Sequence, residues 1–318
     1  MRRVTCGLAV LILALVTAAC SGAAEETPPK PVLEKDTIKV GIVPTTDAAP
    51  LFIAVNKGFF QQEGLTVEAM TVTGSGAAMP QVMSGSLDLA QTDYVTTFLA
   101  GSRGMPIKVV GAMSQAGPDT FGLVARDGSK IESVADLKGK KIAVNNLMGL
   151  ATLTVTAMLR DAGMEARDVK FVEAPFPEMP ANLAARHVDA AWTAEPFLTF
   201  GEPRAKLHRV ADTMAGRITD MPVGGWMATG DWATENPQTL TAFQRAFTKA
   251  QQLAARDRKE VEAVLPTYVK IDRETAAQTS LGTYPTAVDP QRLQRVADLM
   301  QQHGYLKSRV DVKTVLAP

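Results

Sequence analysis

Apolar and polar positions along this chain fall into short runs whose period changes repeatedly. Ile38 to Val43, Thr66 to Val72 and Leu87 to Gln91 are brief apolar stretches, which predicts three strands. Between them the apolar residues recur at helical spacing, which predicts helices over about Ala49 to Glu63 and about Ala77 to Ser84. Phe52, Ile53, Val55, Phe59 and Phe60 make one face of the first helix, so its aromatic residues belong to a core. Asp47 before it, Pro50 just inside and Gly64 just past its end are sensible start and stop residues. Strands alternating with helices argue an α/β fold, with a mostly parallel sheet flanked by helices.

The unit occurs twice. Thr37-Ile-Lys-Val-Gly-Ile-Val-Pro44 returns about a hundred residues later as the phrase from Asp136 to Asn145, again a short strand followed by a small-residue loop and a helix. Met79-Pro80 is echoed by Met179-Pro180, and the turn and strand Ser84 to Thr92 by Ala185 to Thr193, which aligns Asp88 with Asp189 and Thr92 with Thr193. Two copies do not make a solenoid. They predict two α/β lobes facing each other across a cleft.

Phe121 to Arg126 and Pro222 to Ala228 read as the strands that leave and return to the first lobe. After the return the pattern is helical only: about Pro237 to Asp257, Lys259 to Val264, Arg273 to Leu281 and Pro290 to Gln302. A late helical block without new strands packs back on the first lobe. The expected organisation is residues 37–122 plus 226–318 as one lobe and 123–225 as the other, joined by two crossings that permit hinge closure.

Ahead of the lobes, Met1-Arg2-Arg3, an apolar stretch from Gly7 to Val16 and Thr17-Ala18-Ala19-Cys20 have the layout of an export signal over residues 1–19. A Cys directly after small residues resembles a bacterial lipobox, with Cys20 the lipid-modified first residue of the mature chain, although Thr17 stands where Leu is usual. The other cysteine, Cys6, lies in the part to be removed, so no disulfide is available to the mature protein. Residues 20–36 then form the lipidated Cys and its tether, whose Pro-, Ala- and Glu-rich run Ser21 to Lys35 is able to reach roughly 45 Å at ~3 Å per residue. The expectation is an extracytoplasmic body attached to a membrane by its lipid anchor only.

Charge narrows the function classes. The chain has 33 basic and 33 acidic residues, and losing Arg2 and Arg3 with the signal leaves 31 against 33, with no basic stripe, so nucleic acid is not an expected partner. The three histidines, His187, His208 and His303, lack metal-ligand spacing, and there is no Gly-x-Ser-x-Gly elbow, so neither a metal site nor a hydrolase is implied.

Several phrases together resemble a known family. Ala49-Pro-Leu-Phe-Ile-Ala54, Lys57-Gly-Phe-Phe60, Glu63-Gly-Leu65, Ser84-Gly-Ser-Leu-Asp88, Asp136-Leu-Lys-Gly-Lys-Lys-Ile142 and Val188-Asp-Ala190 with Glu195-Pro196 look like the extracytoplasmic solute-binding proteins of ABC importers. Within these the match is to the nitrate, sulfonate and taurine group, which includes the thiamine-pyrimidine-precursor (NMT1/THI5-like) binders, over roughly residues 37–230. The resemblance implies a two-lobed, type II-like periplasmic binding protein, monomeric and without a cofactor, that delivers a small organic solute to an ABC permease and its ATPase. A ligand-sensing lipoprotein and a periplasmic enzyme are the alternatives. The cysteine-rich motif of the family's pyrimidine-synthesising members is absent, so that activity is not implied.

With each strand's carboxyl end at the cleft, the available loops are 44–50, 73–77, 92–94, 145–150, 175–180 and 192–197. The candidate ligand contacts are Thr46, Asp47, Ser75, Gly76, Thr92, Asp93, Asn145, Met148, Gly149, Trp192 and Glu195. Ser75 and Gly76 begin a helix and offer a hydroxyl and backbone donors, and Trp192 replaces Gln91 of the first copy at a strand end, where it can stack on a planar ligand or plug the lobe. None of the six loops contains Lys or Arg, whereas Asp47, Asp93, Glu178 and Glu195 lie in them. That balance favours a neutral or cationic organic ligand over a free anion. Asp47 and Asp93 can each serve as a helix cap instead.

Overall fold

The computed structural model describes residues 32–317, so the expected export signal, Cys20 and most of the tether lie outside the described residues. The strands are β1 (Thr37–Ile42), β2 (Thr66–Thr71), β3 (Leu89–Asp93), β4 (Ile107–Gln115), β5 (Phe121–Arg126), β6 (Lys141–Val144), β7 (Lys170–Glu173), β8 (Ala190–Ala194), β9 (Leu207–Asp212) and β10 (Pro222–Thr229). The helices of the two strand-bearing units are α1 (Ala49–Asn56), α2 (Phe59–Gln62), α3 (Ser75–Met83), α4 (Tyr94–Ser102), α5 (Leu150–Asp161), α6 (Met179–Ala184) and α7 (Phe197–Ala205). The remainder are α8 (Gly230–Glu235), α9 (Pro237–Arg256), α10 (Arg258–Tyr268), α11 (Arg273–Gln278) and α12 (Pro290–Gln302).

Two five-stranded sheets result, in the orders β2-β1-β3-β10-β4 and β7-β6-β8-β5-β9. The two orders are the same pattern. β1 is parallel to β2 and β3, and β6 to β7 and β8, while β10 and β5 run antiparallel to both of their neighbours. The antiparallel strand in each sheet is the one that has just crossed from the other lobe. It starts at the cleft and runs away from it, whereas the other four run toward it.

The periodicity gives the element order well and misplaces some edges. The helix expected over Ala49 to Glu63 is two, broken at Gly58, which adopts φ 68°. That left-handed conformation is easy for glycine and ends the first helix. β5 lies wholly in the sheet it enters, and so does β10, so sheet membership changes in the connections 116–120 and 213–221 rather than at 122/123 and 225/226.

α9 shows why the late helical block belongs to the first lobe. Leu240, Phe243, Ala246, Phe247, Ala250 and Ala254 recur at three- and four-residue spacing and are all buried. Phe243 stacks on Phe60 and on Phe247, and both Phe243 and Phe247 stand perpendicular to Trp226 of β10. The end of the expected tether is also tied to this block, because the Glu34 carboxylate accepts from the Gln238 and Thr239 N–H groups and Lys35 pairs with Asp88. Among the described residues no helix is long and apolar enough to cross a membrane.

Strand β10 passes its neighbours so closely that glycine is required at Gly225: a Cβ there would sit 2.5 Å from the Gly111 carbonyl oxygen and 3.0 Å from the Tyr94 hydroxyl. Gly225→Ala is expected to lower unfolding free energy by about 1–3 kcal/mol, the usual cost of forcing extra volume into a packed site. Urea denaturation checks this, and an unchanged midpoint would contradict the spacing.

Candidate functional site

The carboxyl ends of β1, β3, β6 and β8 and the starts of β5 and β10 surround a small cavity of about 50 Å³ between the lobes. From the first lobe it is lined by Val43, Thr45, Asp47, Ser75, Gln91, Thr92, Asp93, Met113, Val223 and Gly224. The second lobe contributes Phe121, Asn145, Leu150, Phe176, Trp192 and Ala194. No Lys, Arg or His stands among these lining residues.

Two acidic side chains, Asp47 and Asp93, line the cavity and a third, Glu195, lies at the seam beside it; their partners separate their roles. Asp93 caps α4: its carboxylate accepts from the Thr96 N–H at 2.8 Å and the Thr96 hydroxyl at 2.7 Å. Burial raises its pKa, opposed by hydrogen bonds from Thr96, Ser75 and the Leu150 N–H. Glu195 accepts from the Thr199 N–H at 3.1 Å, the Thr199 hydroxyl at 2.7 Å and the Ser280 N–H at 3.2 Å. Its pKa is also raised by burial, against those bonds.

Asp47 differs from both. It lies inside a 3-10 turn, Thr46–Ala48, and does not cap it, so the helix-cap expectation fails there. Burial pushes its pKa up to about 6, with only the Ser114 hydroxyl pulling it down. Nearby, the Tyr268 and Tyr284 hydroxyls donate to the Thr45 and Thr46 carbonyls, and the buried Thr45 hydroxyl has no hydrogen-bond partner. Asp47 and Thr45 thus offer the cavity acceptor capacity that the fold does not use.

The facing wall is aromatic. Trp192 packs between Phe121, with centroids 5.2 Å apart, and Phe176, 5.9 Å away, and its indole N–H donates to the Thr213 hydroxyl at 2.9 Å. At 2% exposure it is a packed wall of the cavity rather than a projecting platform. Its repeat counterpart Gln91 lines the opposite side, its side-chain amide oxygen accepting from the Val43 N–H.

Around the cavity the two lobes are bonded to each other. The Thr46 N–H donates to the Glu195 carbonyl at 3.2 Å, and the Asn146 amide donates to the Thr96 hydroxyl at 2.9 Å. Gly76 and Gly149 serve this seam, since a Cβ at either would press on the Asn146 side chain at 3.3 and 3.0 Å. Farther out, Arg160 of α5 donates to the Gln302 carbonyl at the end of α12.

Of the eleven expected contacts, Asp47, Ser75, Thr92, Asp93, Asn145 and Trp192 line the cavity, whereas Thr46, Gly76, Gly149 and Glu195 lie at the lobe seam. Met148 is 43% exposed, with its carbonyl on the Thr96 hydroxyl. The loops expected to face the cleft leave out Val43, Gln91, Met113, Phe121, Val223 and Gly224, which line it as well. Gln91 was available from the repeat, as the partner of Trp192. Phe121, Val223 and Gly224 sit at the starts of the two crossing strands, which the rule of strand carboxyl ends passes over.

The model of the family described as NMT1/THI5 like matches residues 45–261. This chain belongs to that family. It is 25% identical over 347 residues to the riboflavin-binding protein RibY of Chloroflexus aurantiacus, covering 96% of this chain and 94% of the other. It is 26% identical over 209 residues to the 4-amino-5-hydroxymethyl-2-methylpyrimidine phosphate synthase of Uromyces fabae, covering 62% of this chain and 60% of that one. The periplasmic nitrate-binding protein NrtA from Synechocystis PCC 6803 superposes with a TM-score of 0.77 at 21% identity, covering 90% of this chain and 86% of the other. The NMT1/THI5-like chain therefore has the two-lobed solute-binding-protein fold.

The state of Asp47 has a measurable consequence. Its carboxyl titrates near 6 when folded against 3.8 as its ordinary value, so the folded chain holds the proton more tightly. The stability this confers is complete below about 3.8 and is lost as pH rises through about 6. Asp47→Asn removes the titration and is expected to stabilise the ligand-free protein by roughly 2–3 kcal/mol at pH 8, the gain shrinking to nothing near pH 4. Urea midpoints across that range check it; a gain independent of pH would contradict the assignment.

Proposed function

We propose that this chain is an extracytoplasmic lipoprotein, anchored through Cys20, that captures a small organic solute in the interlobe cavity and delivers it to an ABC permease and its ATPase. The observation that carries this reading is the cavity itself: an aromatic wall on one lobe, a buried and nearly unpartnered carboxylate on the other, and no cation among the lining residues. Such a lining disfavours a free oxyanion, which needs donors or positive charge. It suits a neutral or cationic molecule with a planar ring lying on the Phe121, Phe176 and Trp192 side and a donor on Asp47. The likeness to RibY, whose name gives a heteroaromatic ligand, supports a ring-bearing solute.

Binding of the solute adds contacts across both lobes that the open form cannot make, and that difference stabilises the closed form. The permease reads closure as a change in the surface presented by the two lobes together. An enzyme is the second reading, supported by the synthase relative. Against it, the cavity lining has neither His nor Cys to act as a base or nucleophile.

A thermal-shift screen of flavins, pyrimidines, amines, alkanesulfonates and nitrate tests the proposal. The expected outcome is a rise in midpoint with a ring-bearing neutral or cationic compound and none with nitrate or a sulfonate. Asp47→Asn is expected to weaken the responding compound by about tenfold or more, since a bond to a charged acceptor is lost. A strong shift from a sulfonate alone would overturn the ligand class, and turnover of the bound compound would favour the enzyme.

A further inference from the structure

The two lobes differ most at their ends remote from the cleft. In the first lobe, Asp88 precedes β3 and its carboxylate is fully used: it accepts from the Lys39 N–H at 2.8 Å, from the Trp232 indole N–H at 2.9 Å and from the Lys35 ammonium. Residues 34 and 35 and helix α8 thereby cover that end. In the second lobe the equivalent Asp189 accepts from the Lys141 N–H at 2.8 Å, and among the described residues neither a counterpart of Lys35 nor of Trp232 reaches it. The equivalent space is an open groove of about 270 Å³.

That groove has a distinct chemistry. Ile131, Leu183 and Val188 are buried and form its floor, while Arg126, Lys130, Lys140 and Arg186 line it. Asp189 is the acid in the lining, so the balance is four positive charges less one, or +3. Among the described residues no carboxylate pairs with any of the four; the one side-chain bond they make is from Arg126 to the Asp127 carbonyl. Arg126 and Lys140 are half-buried, which holds their charge against the apolar floor, where attraction is stronger than in open water. The acids next to these residues in sequence, Asp127 and Glu132, lie 3.5 and 3.9 Å from the His208 ring nitrogens.

Arg186 adds an independent observation. It occupies the residue just past the C-terminus of α6 at φ 60°, and the same place after α3 is Gly85 at φ 73°. Left-handed backbone is natural for glycine and strained for arginine. The second lobe thus keeps a guanidinium at the groove rim where the first keeps the residue that the backbone prefers.

From this arrangement we propose that the distal groove of the second lobe binds a phosphate group, held by Arg126, Lys130, Lys140 and Arg186. Guanidinium forks with ammonium groups over an apolar floor match a phosphate's spread of charged oxygens. Free phosphate and an anionic phospholipid headgroup share this chemistry. The site is far from the cavity and does not depend on the solute.

The test uses the full-length chain beside Arg186→Gly and Lys140→Gln variants. Arg186→Gly restores the residue found in the repeat, so its thermal midpoint is expected to hold or rise, which separates lost binding from lost folding. Calorimetry with inorganic phosphate examines the free anion. Co-sedimentation on phosphatidylcholine vesicles with and without phosphatidylglycerol examines the headgroup. The proposal expects one of the two to bind, salt-sensitively, with each variant weakening it by about tenfold. Saturable phosphate binding assigns the site to the free anion, and binding confined to the phosphatidylglycerol vesicles assigns it to the headgroup. Absence of both, or binding unchanged in the two variants, overturns it.

Discussion

A strand that has just crossed from one lobe to the other begins at the cleft, and it can join the new sheet only by running against strands that end there. β5 and β10 meet this constraint identically, each inserted next to the last strand of its sheet. The rest of the molecule follows. The remaining strands deliver their carboxyl ends to the cleft, where loops and helix starts are free to vary. The insertion also brings a second set of residues to the same place from the opposite direction, which is how Phe121, Val223 and Gly224 come to stand beside Trp192 and Thr92.

Within that frame the buried acids are divided between structure and unused capacity. Asp88 ties the N-terminal segment and α8 to the first sheet, Asp93 holds the start of α4, and Glu195 links α7 to the backbone at Ser280. Each has donors enough to make burial tolerable. Asp47 has almost none, and its raised pKa shows that the fold disfavours its charge. Charge kept buried without a partner weakens the empty protein and is consistent with a partner arriving from outside.

Much of this was legible in the sequence, and the limits have physical causes. The repeat, the late helical block and its attachment to the first lobe follow from apolar spacing, and the helices from Pro237 and Pro290 begin where proline places them. Local pattern cannot show which sheet a crossing strand joins, because β5 looks like any buried strand until its hydrogen-bond neighbours are known. Nor can it separate a glycine needed for a ligand from one needed for lobe contact: Gly76 and Gly149 open loops of the right kind, and both are there to admit Asn146. Trp192 illustrates the same limit, since its packing between Phe121 and Phe176 depends on two loops distant in sequence.

The duplication also explains the chemical polarity of the cavity. Equivalent positions carry Gln91 and Trp192, or Asp93 and Ala194, so the first lobe presents oxygen and amide groups where the second presents rings and a methyl. Two lobes with the same topology can close on each other while their walls diverge, because the wall residues stand at strand ends and support little of the sheet beneath. A solute that satisfies both walls is polar at one edge and flat and apolar at the other. Such a molecule gains most from closure, since either lobe alone leaves half of it in water, and the preference for the closed form then comes from the asymmetry of the ligand as much as from its size.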